Sequence, residues 1–306
     1  MDIFNVEAAK LLKSLEKEDL RILMAIEIGM KRSEYVTVKN IKFYSRYKIE
    51  ETLFRLKKVH KLDLIIRNSS QGEIAYTLNS IGYDLLALHA LVEKNMISQL
   101  GPLLGKGKES DVYSCMDDNE NIYAVKIYRM GRRSFKNIKK YRNIIGKRGH
   151  LSWLYVNRLA AKKEHQALKK IYALGLNTPR PIGYNRHMVV MEYLRGKELA
   201  YYKEIDKPAY IFNKIINQMK IIYQEANMIH GDLGEFNIII DGEGNILIID
   251  WVQWISRNHP NAKKMLRRDI ENVCNYFEKK FHVESDIEEI LSEFHEKAKK
   301  KRFLLF

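Results

Sequence analysis

The sequence predicts an α+β chain built in two parts, a small helical domain closed by a hairpin and a larger mixed domain. Three observations predict it. A length of 306 residues suits two domains at about 100–200 residues each. Helical spacing runs through the first ninety residues and gives way after Asn95 to two-residue alternation. Hydrophobic residues make up 46% and charged residues 30%, a core-forming composition and not a disordered one.

In the first part, Asp19–Met30 carries Leu20, Leu23, Met24, Ile26 and Ile28 as a helical stripe. A shorter helix is expected near Val38–Tyr44. KIEETLFRLKKVHKLDLI then puts Ile49, Leu53, Leu56 and Val59 on one face. Leu64–Arg67 and Ile74–Leu78 flank SSQGE and read as a hairpin. Asn79 caps a closing helix. Helices followed by a hairpin and a final helix resemble a winged helix-turn-helix. Its recognition helix would be Lys48–His60, with Lys48, Arg55, Lys57 and Lys58 as candidate contacts to nucleic acid. Against that, residues 1–90 hold fifteen Lys/Arg and twelve Asp/Glu, a net charge of only +3, and a protein-docking role competes.

Beyond Asn95, three short strands are expected, with Asp117–Asn121 as a turn. The first turn contains Gly105, Gly107, Lys108 and Ser110. Glycines there let backbone N–H groups approach phosphate oxygens, and Lys108 adds charge. The run lacks the Lys-Ser/Thr pair opening a helix that marks a P-loop. On the third strand, Lys126 lies inside the apolar run YAVKIY, where it costs desolvation unless paired. Protein kinases hold the α- and β-phosphates with a lysine so placed. Between Lys126 and Glu192 the sequence contains one acid, Glu164, which makes it the candidate partner.

IHGDLGEFNIIIDGEGNILIIDW is the most informative segment. Asp232 and Asn237 fit D-x-x-x-x-N. Two apolar strands around Asp241–Asn245 form an antiparallel hairpin, which returns Asp250 to the side of Asn237. An amide oxygen and a carboxylate converging there suit Mg²⁺. Asp232 can accept a proton or orient a nucleophile, and His230 can brace the loop. Kinase catalytic loops use these positions as base and metal ligands.

The whole chain resembles the RIO family of atypical serine/threonine protein kinases, in the second type, which carries an N-terminal winged helix. The resemblance rests on GKGKESDVY, YAVKIYR, SWLYVNRLAAKKEHQAL, VMEYLRG, IHGDLGEFN and IIDWVQ. It implies a winged-helix domain over 1–92 and a compact two-lobed kinase-like domain over 93–306, with an N-lobe at 93–191 and a C-lobe at 192–306. It implies ATP with Mg²⁺, or Mn²⁺ in its place. Lys126 then binds phosphates and pairs with Glu164. Gly105, Gly107, Lys108 and Ser110 line the triphosphate. Glu192 and Leu194 offer backbone groups to adenine beneath Met191. Asp232 is the catalytic Asp, Asn237 and Asp250 hold the metal, and Asp250 can itself be transiently phosphorylated. The implied partner is the precursor of the small ribosomal subunit with its rRNA. The length resembles archaeal members. Three departures stand out: Trp251 and Val252 replace Phe-Pro after the metal-binding Asp, Gly234 stands where Ser is common, which predicts a looser loop, and Ser110 replaces the third glycine of the ordinary kinase loop, as the family allows.

Charge and length narrow the function further. Lys and Arg number 53 against 38 Asp and Glu, a net charge of +15 that attracts polyanions. Nine of those cations and no acid lie in Arg129–His150, expected to be an RNA-contacting flap, with Ser134 a candidate autophosphorylation site. The tail KAKKKRFLLF pairs charge with apolar residues. Cys115 and Cys274 make neither a disulfide framework nor a zinc site. No signal peptide or membrane span is expected, so the location is read as cytoplasmic. Fifty-six residues follow Asp250, with no A-P-E motif. That favours an ATPase or autophosphorylating switch over a kinase with a peptide-docking shelf. Two rivals remain. One is a small-molecule phosphotransferase of the aminoglycoside or choline kinase class. The other is a nucleotide-sensing winged-helix binder, for which sequence-specific DNA binding is not expected.

Overall fold

In the computed structural model, residues 3–69, 72–130 and 153–295 are described. The chain divides into two compact units, 1–162 with 182–191 and 163–181 with 192–306. The expected flap, Ser134 and the basic tail lie outside the described residues, apart from Arg129 and Met130.

The first unit opens with helices α1 (Ile3–Leu12) and α2 (Lys17–Gly29). Strand β1 (Val36–Thr37) leads into α3 (Val38–Ser45), where the Thr37 hydroxyl accepts from Asn40 N–H. Helix α4 (Ile49–Lys61) and the hairpin β2 (Ile65–Asn68) and β3 (Ala75–Leu78) follow. Asn79 caps α5 (Ser80–Val92) by accepting from Gly82 N–H at 2.9 Å. The sheet order β1-β3-β2 completes a winged helix-turn-helix.

The expected face of α4 is corrected. Thr52, Arg55, Leu56 and Val59 turn inward, while Ile49 and Leu53 are exposed, Leu53 by 49% and its neighbour Phe54 by 59%. The cause is electrostatic. Arg55 is only 9% exposed and donates to Glu51 at 2.6 Å, Glu16 at 2.6 Å and Asp19 at 3.1 Å. Lys58 donates to Glu16 at 2.8 Å and Asp19 at 2.6 Å. Two of the four cations expected on nucleic acid are therefore committed inside the domain.

The same unit continues with a five-stranded sheet of order β4-β5-β6-β8-β7. Its strands are β4 (Gln99–Lys106), β5 (Ser110–Met116), β6 (Ile122–Tyr128), β7 (Pro181–Asn185) and β8 (Met188–Glu192). The register of β4 slips between Leu100 and Leu103, across Pro102, which has no N–H to give the ladder. Helix α6 (Trp153–Tyr172) runs between β6 and β7 in the chain.

A buried ionic cluster joins the winged helix to this sheet. Asp84 of α5 receives two hydrogen bonds of 2.6 Å from Arg129, and His187 Nε2 lies 2.7 Å from it. Burial pushes the Asp84 carboxyl up, but Arg129 and His187 outweigh it and hold it below its usual range. Around the cluster, one continuous core takes Ile22, Leu23, Leu86 and Leu91 together with Tyr113, Val125, Met188 and Val190.

The second unit carries a short strand β9 (Lys197–Glu198) and helix α7 (Pro208–Glu225), with proline in its first turn. Strands β11 (Ile238–Ile240) and β12 (Ile246–Ile248) form the expected hairpin, and β9 pairs with β11. A second ladder pairs β10 (Met228–Ile229) with β13 (Ile255–Ser256). Helices α8 (Ala262–Phe281) and α9 (Ile287–His295) complete it. No described helix is long and apolar enough to cross a membrane.

Removing the carboxylate of Asp84 takes both 2.6 Å acceptors from the buried Arg129 guanidinium, which destabilises by about 3–5 kcal/mol. Asp84→Ala is expected to lose this much in urea unfolding. The Glu16 carboxyl gives a pH signature. Hydrogen bonds from Lys58 and then Arg55 lower it from 4.5 to about 2. Its contribution is present above 4.5 and is lost as pH falls from there to about 2. Stability measured across that window should fall less steeply in Glu16→Gln than in the wild type.

Candidate phosphoryl-transfer site

In the first unit, the glycine turn is built by the β4–β5 hairpin. Gly107 N–H donates to the Ser110 carbonyl at 2.8 Å, and a Cβ on Gly107 would come within 3.0 Å of that oxygen. Gly105 faces open space, Lys108 is exposed and Ser110 opens β5 half-buried. The register pairs Gly105 with Val112 and Val112 with Lys126. Gly105 and Lys126 thus share one row across three strands. Lys126 is buried, with its ammonium 5.2 Å from the ring centre of Tyr128. Met191 is buried near the end of β8.

The start of the expected flap is pinned in this unit. Asn157 of α6 accepts from Met130 N–H at 2.7 Å and donates to the Met130 and Trp153 carbonyls. Arg129 N–H donates to the Glu109 carbonyl at 2.6 Å, which ties the far end of β6 to the glycine turn.

In the second unit, Glu164 is buried on α6. Glu192 spends its own N–H on the Arg180 carbonyl at 2.9 Å, while its carboxylate accepts from Arg180 N–H at 3.1 Å. Its N–H is therefore committed to Arg180. Leu194, two residues on, is half-buried.

The structure brings Asp232, Asn237 and Asp250 together within this unit. The side-chain N–H of Asn237 donates to the Asp232 carbonyl at 2.8 Å, which leaves the amide oxygen of Asn237 to a ligand. Ile249 N–H donates to the Asn237 carbonyl at 3.0 Å, so Asp250 follows directly beside it. Asp250 has φ 63°, a left-handed conformation that costs about 1–2 kcal/mol in an L-residue. It opens the 3₁₀ turn Trp251–Gln253. His230 lies 2.9 Å from the Ile249 carbonyl and braces the loop as expected.

The departures at Trp251 and Gly234 are accommodated. Trp251 is buried, donates to the Ile248 carbonyl at 2.9 Å and sits 4.6 Å from the His230 ring. Gly234 has an extended backbone, φ −166°, that any residue adopts, and its carbonyl accepts from Asn237 N–H at 2.9 Å. Gly231 is the glycine the loop needs. Its φ is +80°, and a Cβ there would press on the Gln253 carbonyl at 3.0 Å.

Sequence reasoning missed the residue that holds the loop. Asp269 of α8 accepts from Gly231 N–H at 2.6 Å and from Leu233 N–H at 3.1 Å. Burial raises its carboxyl above the usual range, against the pull of His230 and those two N–H groups. Asn272 adds a bond to the Leu233 carbonyl at 2.8 Å. A signal existed in the sequence: Asp269 stands on the apolar stripe Leu266, Ile270, Val273, Phe277, where an acid needs buried partners.

Among the described residues, no group of three or more His, Cys, Asp or Glu could hold a metal. The oxygen pair of Asn237 and Asp250 fits Mg²⁺, which keeps several waters and takes phosphate oxygens alongside one or two protein ligands. Cys115 is buried and its thiol is pushed up to about 12, so it is inert.

A strand-borne lysine after a glycine turn and a D-x-x-x-x-N loop joined to a hairpin aspartate together define a protein-kinase-like class. Comparison with known proteins resolves the class. Residues 111–290 match the RIO domain, and residues 12–94 match the N-terminal domain of Rio2. The chain belongs to the RIO family of atypical serine/threonine protein kinases, in the branch with an N-terminal winged helix.

A relative from Dictyostelium discoideum, serine/threonine-protein kinase rio2, is 38% identical over 89% of this chain and 52% of its own length. The RIO-type serine/threonine-protein kinase Rio2 of Methanocaldococcus jannaschii is 36% identical over 85% of this chain and 96% of its own. The chain therefore spans about half of the first and nearly all of the second. A crystal structure of the Rio2 kinase–ADP/Mg²⁺–phosphoaspartate complex from Chaetomium thermophilum matches with a TM-score of 0.81. It is 30% identical, over 94% of this chain and 89% of that one.

Asp269→Ala leaves two backbone N–H groups buried and unpaired, at about 1–3 kcal/mol each. The expected result is a lower unfolding midpoint and faster amide hydrogen exchange at Gly231 and Leu233, while the amides of α4 keep their protection.

Proposed function

We propose that this chain is an ATP-dependent kinase and ATPase acting in maturation of the small ribosomal subunit, with its winged-helix domain over 1–92 and its kinase domain over 93–306. The observation that carries the catalytic part is the loop and hairpin of the second unit, where Asp232, Asn237 and Asp250 converge on shared backbone hydrogen bonds. The ADP/Mg²⁺ ligands of the Chaetomium thermophilum relative support ATP and Mg²⁺ as the cofactors.

The roles then follow from the chemistry of each group. Gly105 and Gly107 let the turn's backbone approach phosphate closely, with Lys108 and Ser110 beside them. Lys126 neutralises the α- and β-phosphates and Glu164 orients it. Met191, the Glu192 carbonyl and the Leu194 N–H frame adenine. Asn237 and Asp250 hold Mg²⁺, which supplies positive charge to the β- and γ-phosphate oxygens. Asp232 orients a hydroxyl or water nucleophile and accepts its proton. In the phosphoenzyme branch, a carboxylate oxygen of Asp250 attacks the γ-phosphorus as the bond to the bridging oxygen of ADP breaks. Water then cleaves the aspartyl phosphate and releases inorganic phosphate.

The net charge of +15 supports binding to a ribosomal precursor through rRNA phosphates, and a cytoplasmic setting goes with that partner. Sequence-specific DNA binding is not part of the reading, because Arg55 and Lys58 are engaged with Glu16 and Asp19.

The test is turnover of γ-labelled ATP with Mg²⁺, with and without small ribosomal subunits. Lys126→Ala, Asp232→Ala and Asp250→Ala should each lower phosphate release by at least about a hundredfold, the scale of general acid–base and electrostatic terms. Protein-bound label should be labile to hydroxylamine and absent from Asp250→Ala. Wild-type turnover in Asp250→Ala would remove the metal assignment, and stable label on serine or threonine would replace the switch by a protein-phosphorylating enzyme.

A further inference from the structure

The loop His230–Asn237 contains no lysine or arginine of its own, yet a cation stands at its carboxylate. Arg268 of α8 donates through Nη2 to the Gly231 carbonyl, and the same nitrogen lies 3.9 Å from Asp232 Oδ1. The next residue, Asp269, accepts from Gly231 N–H and Leu233 N–H. Two consecutive residues of one helix therefore grip both polar faces of the Gly231 peptide region, one as donor and one as acceptor.

The two grips differ in depth. Asp269 is buried, whereas the side chains of Arg268 and Asp232 are 48% and 66% exposed. An ion pair so exposed adds little to folding stability. Orientation is where it matters. An exposed Asp232 carboxylate otherwise turns about χ1, and a misplacement of about 1 Å at a reacting group costs on the order of a hundredfold in rate. A guanidinium is a planar fork of fixed geometry, so anchoring it on a backbone carbonyl fixes the direction from which it meets the carboxylate.

We propose that Arg268 is a positioning residue for phosphoryl transfer, bridging the Gly231 carbonyl and the Asp232 carboxylate so that Asp232 faces the nucleophile. The proposal rests on the reading of Asp232 as the catalytic carboxylate. Arg268 touches neither nucleotide nor metal in this role.

The experiment is steady-state and single-turnover hydrolysis of Mg-ATP by the full chain. The variants are Arg268→Ala, Arg268→Lys, Asp232→Asn and the double variant Arg268→Ala/Asp232→Asn, each with its melting temperature. Arg268→Ala is expected to lower kcat about ten- to a hundredfold, with KM for ATP and melting temperature unchanged. Arg268→Lys should recover part of that loss, and the double variant should be no slower than Asp232→Asn alone. A kcat for Arg268→Ala within about twofold of wild type overturns the proposal. So does a loss confined to KM or melting temperature, or losses that multiply in the double variant. Wild-type turnover by Asp232→Asn would overturn the catalytic assignment itself, and it is read independently of any change at position 268.

Discussion

Asp84 is the residue on which the first unit depends. It sits on the last helix of the winged domain, fully enclosed, and receives both arms of Arg129 from the end of strand β6. A carboxylate so deeply buried is tolerable only because its counter-charge arrives with two-point geometry and His187 fills the remaining side. Pulling the two apart would strand charges in an apolar core. The winged helix is therefore not an appendage on a tether. Together with the Glu27–Arg186 pair at 2.6 Å, the cluster makes its helices part of the same packed body as the sheet that carries Lys126.

The second unit repeats the device at its His230–Asn237 loop. Asp269 reaches from α8 to satisfy two backbone N–H groups, and the Trp251 ring packs at a tilt against His230 beside the turn that Asp250 opens. A loop that must present Asp232 to solvent cannot be stabilised by burying Asp232. It is stabilised by burying its backbone partners instead. This explains how the loop accepts Gly234 without losing shape: its restraints come from Asp269, Asn272 and backbone carbonyls, while Trp251 adds its own hydrogen bond to the Ile248 carbonyl.

Helix α4 shows how electrostatics can redirect a familiar surface. Its expected nucleic-acid contacts Arg55 and Lys58 are drawn into Glu16 and Asp19, and the outward face left behind is headed by Ile49, Leu53 and Phe54. The charge that a helix carries in sequence is thus a poor guide to the charge that it presents. Lys48 and Lys57 remain exposed and keep a basic rim around that apolar patch.

The amino-acid sequence by itself determined the features built from neighbours in the chain. The cap at Asn79, the glycine turn before Ser110, the hairpin around Asp241–Asn245 and the approach of Asn237 to Asp250 all follow from local spacing, because two-residue and 3.6-residue periods act within a few residues. Family resemblance extended that reading to the nucleotide-binding positions. Only the tertiary structure decided the pairs of Asp84 with Arg129, Asp19 with Arg55 and Asp269 with Gly231, which are separated by 45, 36 and 38 residues. A charge on a predicted helix reads as solvent-facing until a partner far along the chain is brought against it. Burial then reverses its preference, since an acid that is costly alone becomes an anchor once its hydrogen bonds are filled.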